Sequence, residues 1–129
     1  MNGNTVRIDR TVKQELCDLA ASTYPYECCA ALLSNSGGGI DGYCRLTNRS
    51  AEASRYVIDP VELYECEKAY GKKGYEIAGF FHSHPDAEAV MSEEDENNAI
   101  PSMLYLLASV SKEGCTGMRL WRLDTAGES

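Results

Sequence analysis

Short apolar runs that alternate with helical patterns are the strongest constraint on the fold of this chain. The most continuous run covers residues 27–33, and similar runs cover residues 77–81 and 103–110. Runs of this length, bounded by turn residues, are typical of buried strands. Between them, apolar residues recur at the spacing of one helical face, as in Val12, Leu16, Leu19 and Ala20.

The complete pattern predicts the element order βαββαβαββ. Less apolar strands are expected at residues 6–8, 40–47 and 118–123. Helices are expected after Asp9, from Pro60 to Gly71 and from Ser92 to Ile100. Helices of about 10 to 15 residues between strands favour an α/β or α+β domain, with helices flanking a mixed central sheet. At roughly 150 residues per domain, the chain is expected to form a single domain over residues 1–129.

Charge and hydropathy narrow the possible partners. Twelve basic against twenty acidic residues give a formal charge of −8, which repels nucleic-acid backbones and anionic membranes. No apolar run approaches the roughly 18 residues that span a bilayer, and the first residues, Met1 to Thr5, do not resemble a secretory signal. We therefore expect a cytoplasmic protein that binds neither nucleic acid nor membrane. The oligomeric state is not predictable from these features.

The cysteines favour a reducing compartment. Six cysteines in 129 residues are too few for a disulfide-stapled secreted scaffold. Cys28 and Cys29 are a poor disulfide pair because successive side chains on a strand point to opposite faces. The sequence therefore predicts six reduced thiols, with Cys28 and Cys29 packed in the core.

Two histidines carry the chemical signal. His82 and His84 are the only histidines and lie two residues apart at the end of a predicted strand, so both rings project from the same side. Catalytic zinc usually takes three protein ligands and leaves a fourth position for water or substrate. Asp95 is the best third candidate, with Ser92 on the same helical face.

Spacing alone does not choose among the carboxylates of this stretch, which also include Asp86, Glu88, Glu93, Glu94 and Glu96. The sequence from Ser92 to Asp95 is also typical of a capping box at the start of a helix. A histidine at a strand end can equally be an exposed surface residue.

The combined spacing reproduces a known signature. His82-Ser83-His84-Pro85, followed by Ser92 and Asp95, matches the H-x-H-x7-S-x2-D pattern of the JAMM (MPN+, JAB) metallopeptidases. The segment around Glu27, residues 24–29, resembles the glutamate segment of that family. Residues 55–60 and 118–122 extend the resemblance over nearly the whole chain.

The resemblance implies a fold of the cytidine-deaminase-like type and one catalytic Zn²⁺ held by His82, His84 and Asp95. Ser92 is then expected to stabilise the oxyanion. Glu27 is expected to accept a proton from the attacking water and to pass it to the leaving amine. Zinc acidifies water and polarises a carbonyl, and a neighbouring carboxylate can shuttle protons at neutral pH.

Short stand-alone prokaryotic members of this family resemble peptidases that cleave after the C-terminal Gly-Gly of ubiquitin-like or sulfur-carrier proteins. We therefore expect a small β-grasp partner whose attached amino acid or protein is released. Residues 48–55, with Arg49 and Arg55, are expected to form part of the groove for its tail.

Two alternatives belong to other classes. The chain could be a non-catalytic zinc-containing module that binds ubiquitin-like tails without turnover. Zinc-dependent deamination normally requires His-x-Glu and a downstream Pro-Cys-x-x-Cys, which this sequence lacks, so it ranks well behind.

Overall fold

A computed structural model describes residues 6–35, 37–50 and 57–122 as one sheet of five strands with three helices. The elements in chain order are α1 (Arg10–Thr23), β1 (Cys29–Ser34), β2 (Gly42–Leu46), α2 (Pro60–Gly71), β3 (Glu76–Pro85), α3 (Glu93–Asn98), β4 (Leu104–Ser111) and β5 (Gly114–Arg122). Within these residues, no helix has the length and apolar character needed to cross a membrane.

The sheet is mixed, which confirms the predicted fold class. Its strand order is β2-β1-β3-β4-β5, in which β3 and β4 run parallel and the other neighbours are antiparallel. Helix α1 packs its apolar face, which includes Leu16 and Ala20, against one side of the sheet. Cys66 of α2 packs against Cys29 and Leu46 on the other side. The sheet therefore has a helix on each face.

Local sequence signals start the first two helices. The Asp9 carboxylate accepts a hydrogen bond from Val12 N–H at 3.1 Å, which caps α1. The Asp59 carboxylate caps α2 through Val61 N–H at 2.9 Å, and Pro60 occupies the first helical turn. Proline fits there because its missing N–H would have no partner within the helix.

Strand β3 (Glu76–Pro85) carries both histidines at its C-terminal end, as the sequence predicts. The apolar run ends at Phe81, but β3 continues to Pro85 and includes both histidines. The extension is held by β4, whose pairing with β3 runs from Gly79↔Leu104 to Pro85↔Val110. A neighbouring strand supplies hydrogen bonds whatever the polarity of the side chains, so polar residues here stay in the sheet.

Three boundaries differ from the predictions. The expected first strand, residues 6–8, makes only one isolated bridge, Ile8 with Ile40. Strand β5 begins at Gly114 instead of residue 118 because it pairs in a tight hairpin with β4. Helix α3 ends at Asn98, and Ile100 N–H donates to the Tyr105 hydroxyl at 2.7 Å instead of to a helical carbonyl. Pro101 excludes Ile100 from helical geometry.

The prediction of six reduced thiols is wrong. Cys17 of α1 and Cys115 of β5 form a disulfide, with Cα atoms 5.6 Å apart and a sequence separation of 98. It joins helix α1 to β5, an edge strand of the sheet on which α1 packs, a proximity that exists only after folding. The remaining cysteines are free, and Cys28, Cys29 and Cys66 are buried.

Candidate metal centre

Strand β3 brings the two histidines to one face of the sheet. Because residues two apart on a strand project from the same side, the rings of His82 and His84 lie next to each other, with centroids 4.9 Å apart. His82 lies opposite Cys29 in the pairing of β3 with β1. Because Cys29 packs against α2, both histidines lie on the α2 side of the sheet. His82 is only 1% exposed, whereas the His84 ring borders a cavity.

Asp95 on α3 completes a cluster with both rings. Its Oδ1 lies 3.5 Å from His82 Nε2, and its Oδ2 lies 3.0 Å from His84 Nε2. Each of the three side chains offers one possible metal-ligand atom, and these three atoms lie within 4.8 Å of one another. Two imidazole nitrogens and one carboxylate oxygen form the type of three-residue ligand set that catalytic zinc takes. The residues present therefore fit a zinc ion.

A backbone carbonyl orients the His84 ring. His84 Nδ1 lies 2.9 Å from Glu88 O, and since a carbonyl only accepts, Nδ1 carries the proton. Nε2 is thereby directed at Asp95, as expected for a metal-ligating histidine held by a neighbouring acceptor. Burial lowers the pKa of His84, but its hydrogen bonds to Asp95 and Glu88 outweigh that effect, so the pKa is raised overall.

Asp95 is held as an anion by its neighbours. Burial raises the pKa of this carboxyl, but the hydrogen bond with His84, the charge of His82 and the bond from Ser92 N–H lower it to about 2. A carboxylate that remains charged across the neutral range is ready to ligate a cation.

Ser92 occupies the N-terminus of α3, as the capping-box interpretation predicts. Its Oγ accepts from Asp95 N–H and its own N–H donates to Asp95 Oδ2, each at 3.0 Å. The same carboxylate contacts His84. The capping interaction and the cluster therefore share the side chain of Asp95. Ser92 can cap the helix and also lie at the candidate metal site.

Glu27 lies beside the histidines from the opposite direction. It precedes β1, which begins at Cys29 and not at residue 27 as the apolar run predicts. The Glu27 residue is 6% exposed, and its Oε1 lies 3.5 Å from His82 Nδ1. Its side chain borders the same cavity as His84, Ser92 and Asp95.

The loop between His84 and α3 is anchored at three consecutive carbonyls. Ser109 Oγ donates to Ala87 O, His84 Nδ1 to Glu88 O at 2.9 Å and Trp121 Nε1 to Ala89 O at 3.0 Å. At the start of the loop, the Tyr24 hydroxyl donates to the Asp86 carboxylate at 2.8 Å. These contacts fix the path of the chain from β3 to Asp95.

The cluster opens into a cavity of about 730 Å³. Its walls combine apolar side chains with acidic groups: Glu27, Val57, Ile58, His84, Pro85, Ala87, Glu88, Val90, Met91, Ser92, Glu94, Asp95 and Asn98. Of the expected groove segment, residues 51–55 lie outside the described residues. Arg49 forms an ion pair with Asp59 at 3.1 Å, so its charge is matched within the chain.

Sequence reasoning missed the residues that support this site from a distance. Asn48 was expected only as part of a groove for the substrate tail, yet its Nδ2 donates to Glu27 O at 2.8 Å. Tyr24 and Trp121 lie in segments that carry the family resemblance, residues 24–29 and 118–122, but the sequence predicts no role at the site for either. The one available signal was an asparagine close behind a strand end, where such side chains often bind backbone groups.

Comparison with known proteins agrees with this geometry. A family profile described as "Prokaryotic homologs of the JAB domain" matches residues 9–124. The chain is 32% identical over 93 residues to a protein named Desampylase from Haloferax volcanii, covering 70% of this chain and 67% of that protein.

Solved structures show the same fold. A protein from Salinibacter ruber superposes with a TM-score of 0.72 at 25% identity, covering 94% of this chain and 84% of that one. A protein from Desulfitobacterium hafniense superposes with a TM-score of 0.73 at 23% identity, covering 93% of this chain and 92% of that one. A JAB1/MPN domain protein from Archaeoglobus fulgidus superposes with a TM-score of 0.58 at 18% identity, covering 91% of this chain and 89% of that one.

Proposed function

The chain belongs to the family of prokaryotic homologs of the JAB domain, and from that premise we propose that it is a zinc-dependent peptidase or isopeptidase. It hydrolyses the amide bond after the C-terminal Gly-Gly of a small ubiquitin-like or sulfur-carrier protein and releases the attached amino acid or protein. The observation that carries this proposal is the convergence of His82, His84 and Asp95 at a cavity that Glu27 also borders.

His82, His84 and Asp95 would hold the ion, through the two imidazoles and the carboxylate that already lie within 4.8 Å of each other. When bound, zinc supplies Lewis-acid polarisation of the scissile carbonyl and acidifies water near neutral pH. Three protein ligands would leave the ion one coordination position for water or substrate, which is what hydrolysis requires.

Glu27 acts as general base and then as general acid. Its carboxylate borders the cavity next to the histidines, where it accepts a proton from the attacking water. The same group then protonates the leaving nitrogen, so that the amine departs uncharged. Burial of Glu27 removes competing bulk water from this transfer.

Ser92 stabilises the oxyanion. A hydroxyl has one donor hydrogen and two acceptor lone pairs, and Ser92 Oγ already accepts from Asp95 N–H. Its own hydrogen remains available to donate toward the cavity, which Ser92 lines. Donation to an oxygen that gains charge in the transition state is the basis of oxyanion stabilisation.

The substrate class is supported by the cavity and by the relative. Extended tails of glycine have no side chains to block a narrow site, and their backbone can pair with exposed chain edges. Val57 and Ile58 offer an apolar wall beside the cluster. The relative's name, Desampylase, denotes removal of the ubiquitin-like modifier Samp, and the same chemistry is proposed here.

The test uses a ubiquitin-like protein whose Gly-Gly carboxyl is linked to a lysine side chain of a short peptide. The zinc-loaded protein is expected to release the peptide, and chelation to stop the release. Glu27→Gln is expected to keep one zinc per chain but to lower kcat by about 10²- to 10⁴-fold. Asp95→Asn is expected to lose zinc, whereas the matched change Glu96→Gln on the same helix keeps both zinc and activity.

Undiminished cleavage by Glu27→Gln would end the proposed mechanism. Tail binding without any turnover by the zinc-loaded protein would instead favour the non-catalytic module. If Glu27 served only to orient His82, its replacement would weaken zinc binding by roughly 10- to 100-fold, which zinc titration would detect.

A further inference from the structure

The backbone around Glu27 lies just before β1 and is held there by hydrogen bonds from Ser83 and Asn48. Glu27 lies two residues before the first residue of β1. On one side, Cys28 N–H donates to Ser83 Oγ at 2.9 Å and Cys28 O accepts from Ser83 N–H at 3.1 Å. On the other side, Asn48 Nδ2 donates to Glu27 O at 2.8 Å.

Asn48 reaches Glu27 because β2 runs beside β1. The pairing Cys29↔Leu46 is the last register position of the two strands at this end, and Asn48 follows Leu46 by two residues, just as Glu27 precedes Cys29 by two. The amide of Asn48 therefore replaces the next backbone hydrogen bond of the ladder. It continues the sheet one step beyond its end.

The other end of the same amide holds the cavity wall. Asn48 Oδ1 accepts from Ser50 N–H at 2.9 Å and from Val57 N–H at 3.0 Å, and Arg49 N–H donates to Val57 O at 2.9 Å. Two backbone donors at the oxygen and one carbonyl at the nitrogen leave a single orientation for this amide. Asn48 thus links the backbone of Glu27 to Val57, which lines the cavity.

We propose that Asn48 is a positioning residue for the reaction, one that sets the distance between the Glu27 carboxylate and the wall against which the substrate tail lies. This inference rests on the proposed function, because it assigns Asn48 an effect through Glu27. A displacement of about 1 Å in such a group can cost roughly 100-fold in rate. Asn48 itself touches neither the reacting atoms nor the metal ligands in any contact described above.

The change Asn48→Asp isolates the contact with Glu27. Aspartate keeps an oxygen for Ser50 N–H and Val57 N–H but faces the Glu27 carbonyl with an acceptor, so that hydrogen bond is lost. We expect kcat to fall by about 10- to 100-fold with little change in KM and one zinc still bound per chain. The matched control is Asn35→Asp, beyond the opposite end of β1, which is expected to leave all three values unchanged.

A double-mutant cycle separates positioning from general damage. In the Glu27→Gln background, Asn48→Asp is expected to cause no further loss of the residual rate, because the group that it positions no longer transfers protons. A crystal structure of the zinc form of Asn48→Asp is expected to show Glu27 displaced. If Asn48→Asp fails to fold, Asn48→Ser removes the contact with Glu27 O together with those to Ser50 N–H and Val57 N–H, and the same cycle with Glu27→Gln then tests positioning.

Full activity of Asn48→Asp, or an equal loss in the presence and absence of the Glu27 carboxylate, would overturn the inference. An active Glu27→Gln variant would overturn the proposed function instead. The two failures are therefore distinguishable in one set of four proteins.

Discussion

Ser92 and Asp95 are joined by two reciprocal hydrogen bonds, each 3.0 Å long, in which each residue's N–H donates to the other's side chain. The same Asp95 oxygen that accepts from Ser92 lies 3.0 Å from His84 Nε2. A contact that starts a helix of six residues therefore also aims a candidate metal ligand. Stability of the helix end and geometry of the site depend on the same pair.

Replacing Ser92 should separate its two roles. Ser92→Ala removes the cap and is expected to lower the free energy of unfolding by about 1 kcal/mol, measured by urea denaturation. It also removes the proposed oxyanion donor and should lower kcat by about 100-fold. Ser92→Thr keeps a capping hydroxyl and serves as the stability control. A Ser92→Ala protein with reduced stability but full kcat would leave Ser92 only its capping role.

The disulfide should make a large contribution to stability. It closes a loop between residues 98 positions apart, and such crosslinks typically stabilise a fold by about 2–4 kcal/mol. The double change Cys17→Ser and Cys115→Ser is expected to reduce the free energy of unfolding by that amount. Cys44→Ser, at a free and partly exposed thiol, should change it little. Equal urea midpoints for the oxidised and reduced proteins would contradict this prediction.

The four free thiols should differ sharply in reactivity. Burial raises the pKa of Cys28 and raises the pKa values of Cys29 and Cys66 to about 12. A pKa of 12 leaves about one thiolate in 10,000 molecules at pH 8, and the thiolate is the reactive form. Iodoacetamide at pH 8 is therefore expected to label native protein at Cys44 and to label all four sites after unfolding. Peptide mass spectrometry measures this, and rapid native labelling of Cys29 would be the contrary result.

The sequence was most informative where chemistry and spacing coincide. Two histidines two residues apart must share a face of an extended chain, and this placed both rings correctly. The choice of Asp95 among six neighbouring carboxylates came from the resemblance to a family, because helix spacing alone leaves several acidic residues near the same strand end. The structure then brings Asp95 to both rings.

Features that depend on partners distant in sequence were not predictable. The histidine segment of β3 pairs with β4, and no local propensity encodes the choice of that partner. Cys17 meets Cys115 only when α1 packs against β5. Asn48 contacts Glu27 across 21 residues. In each case tertiary contact outweighs local pattern.

The three anchored carbonyls of Ala87, Glu88 and Ala89 have a consequence for how the ion would enter. In small metal domains that have no preformed site, the chain folds around the ion, and part of the metal-binding free energy is used to order the ligands. Here, Ser109, His84 and Trp121 already restrain the connecting loop. The site is preorganised, so removal of the proposed zinc is expected to abolish activity while the fold remains intact, and adding zinc back is expected to restore activity without refolding.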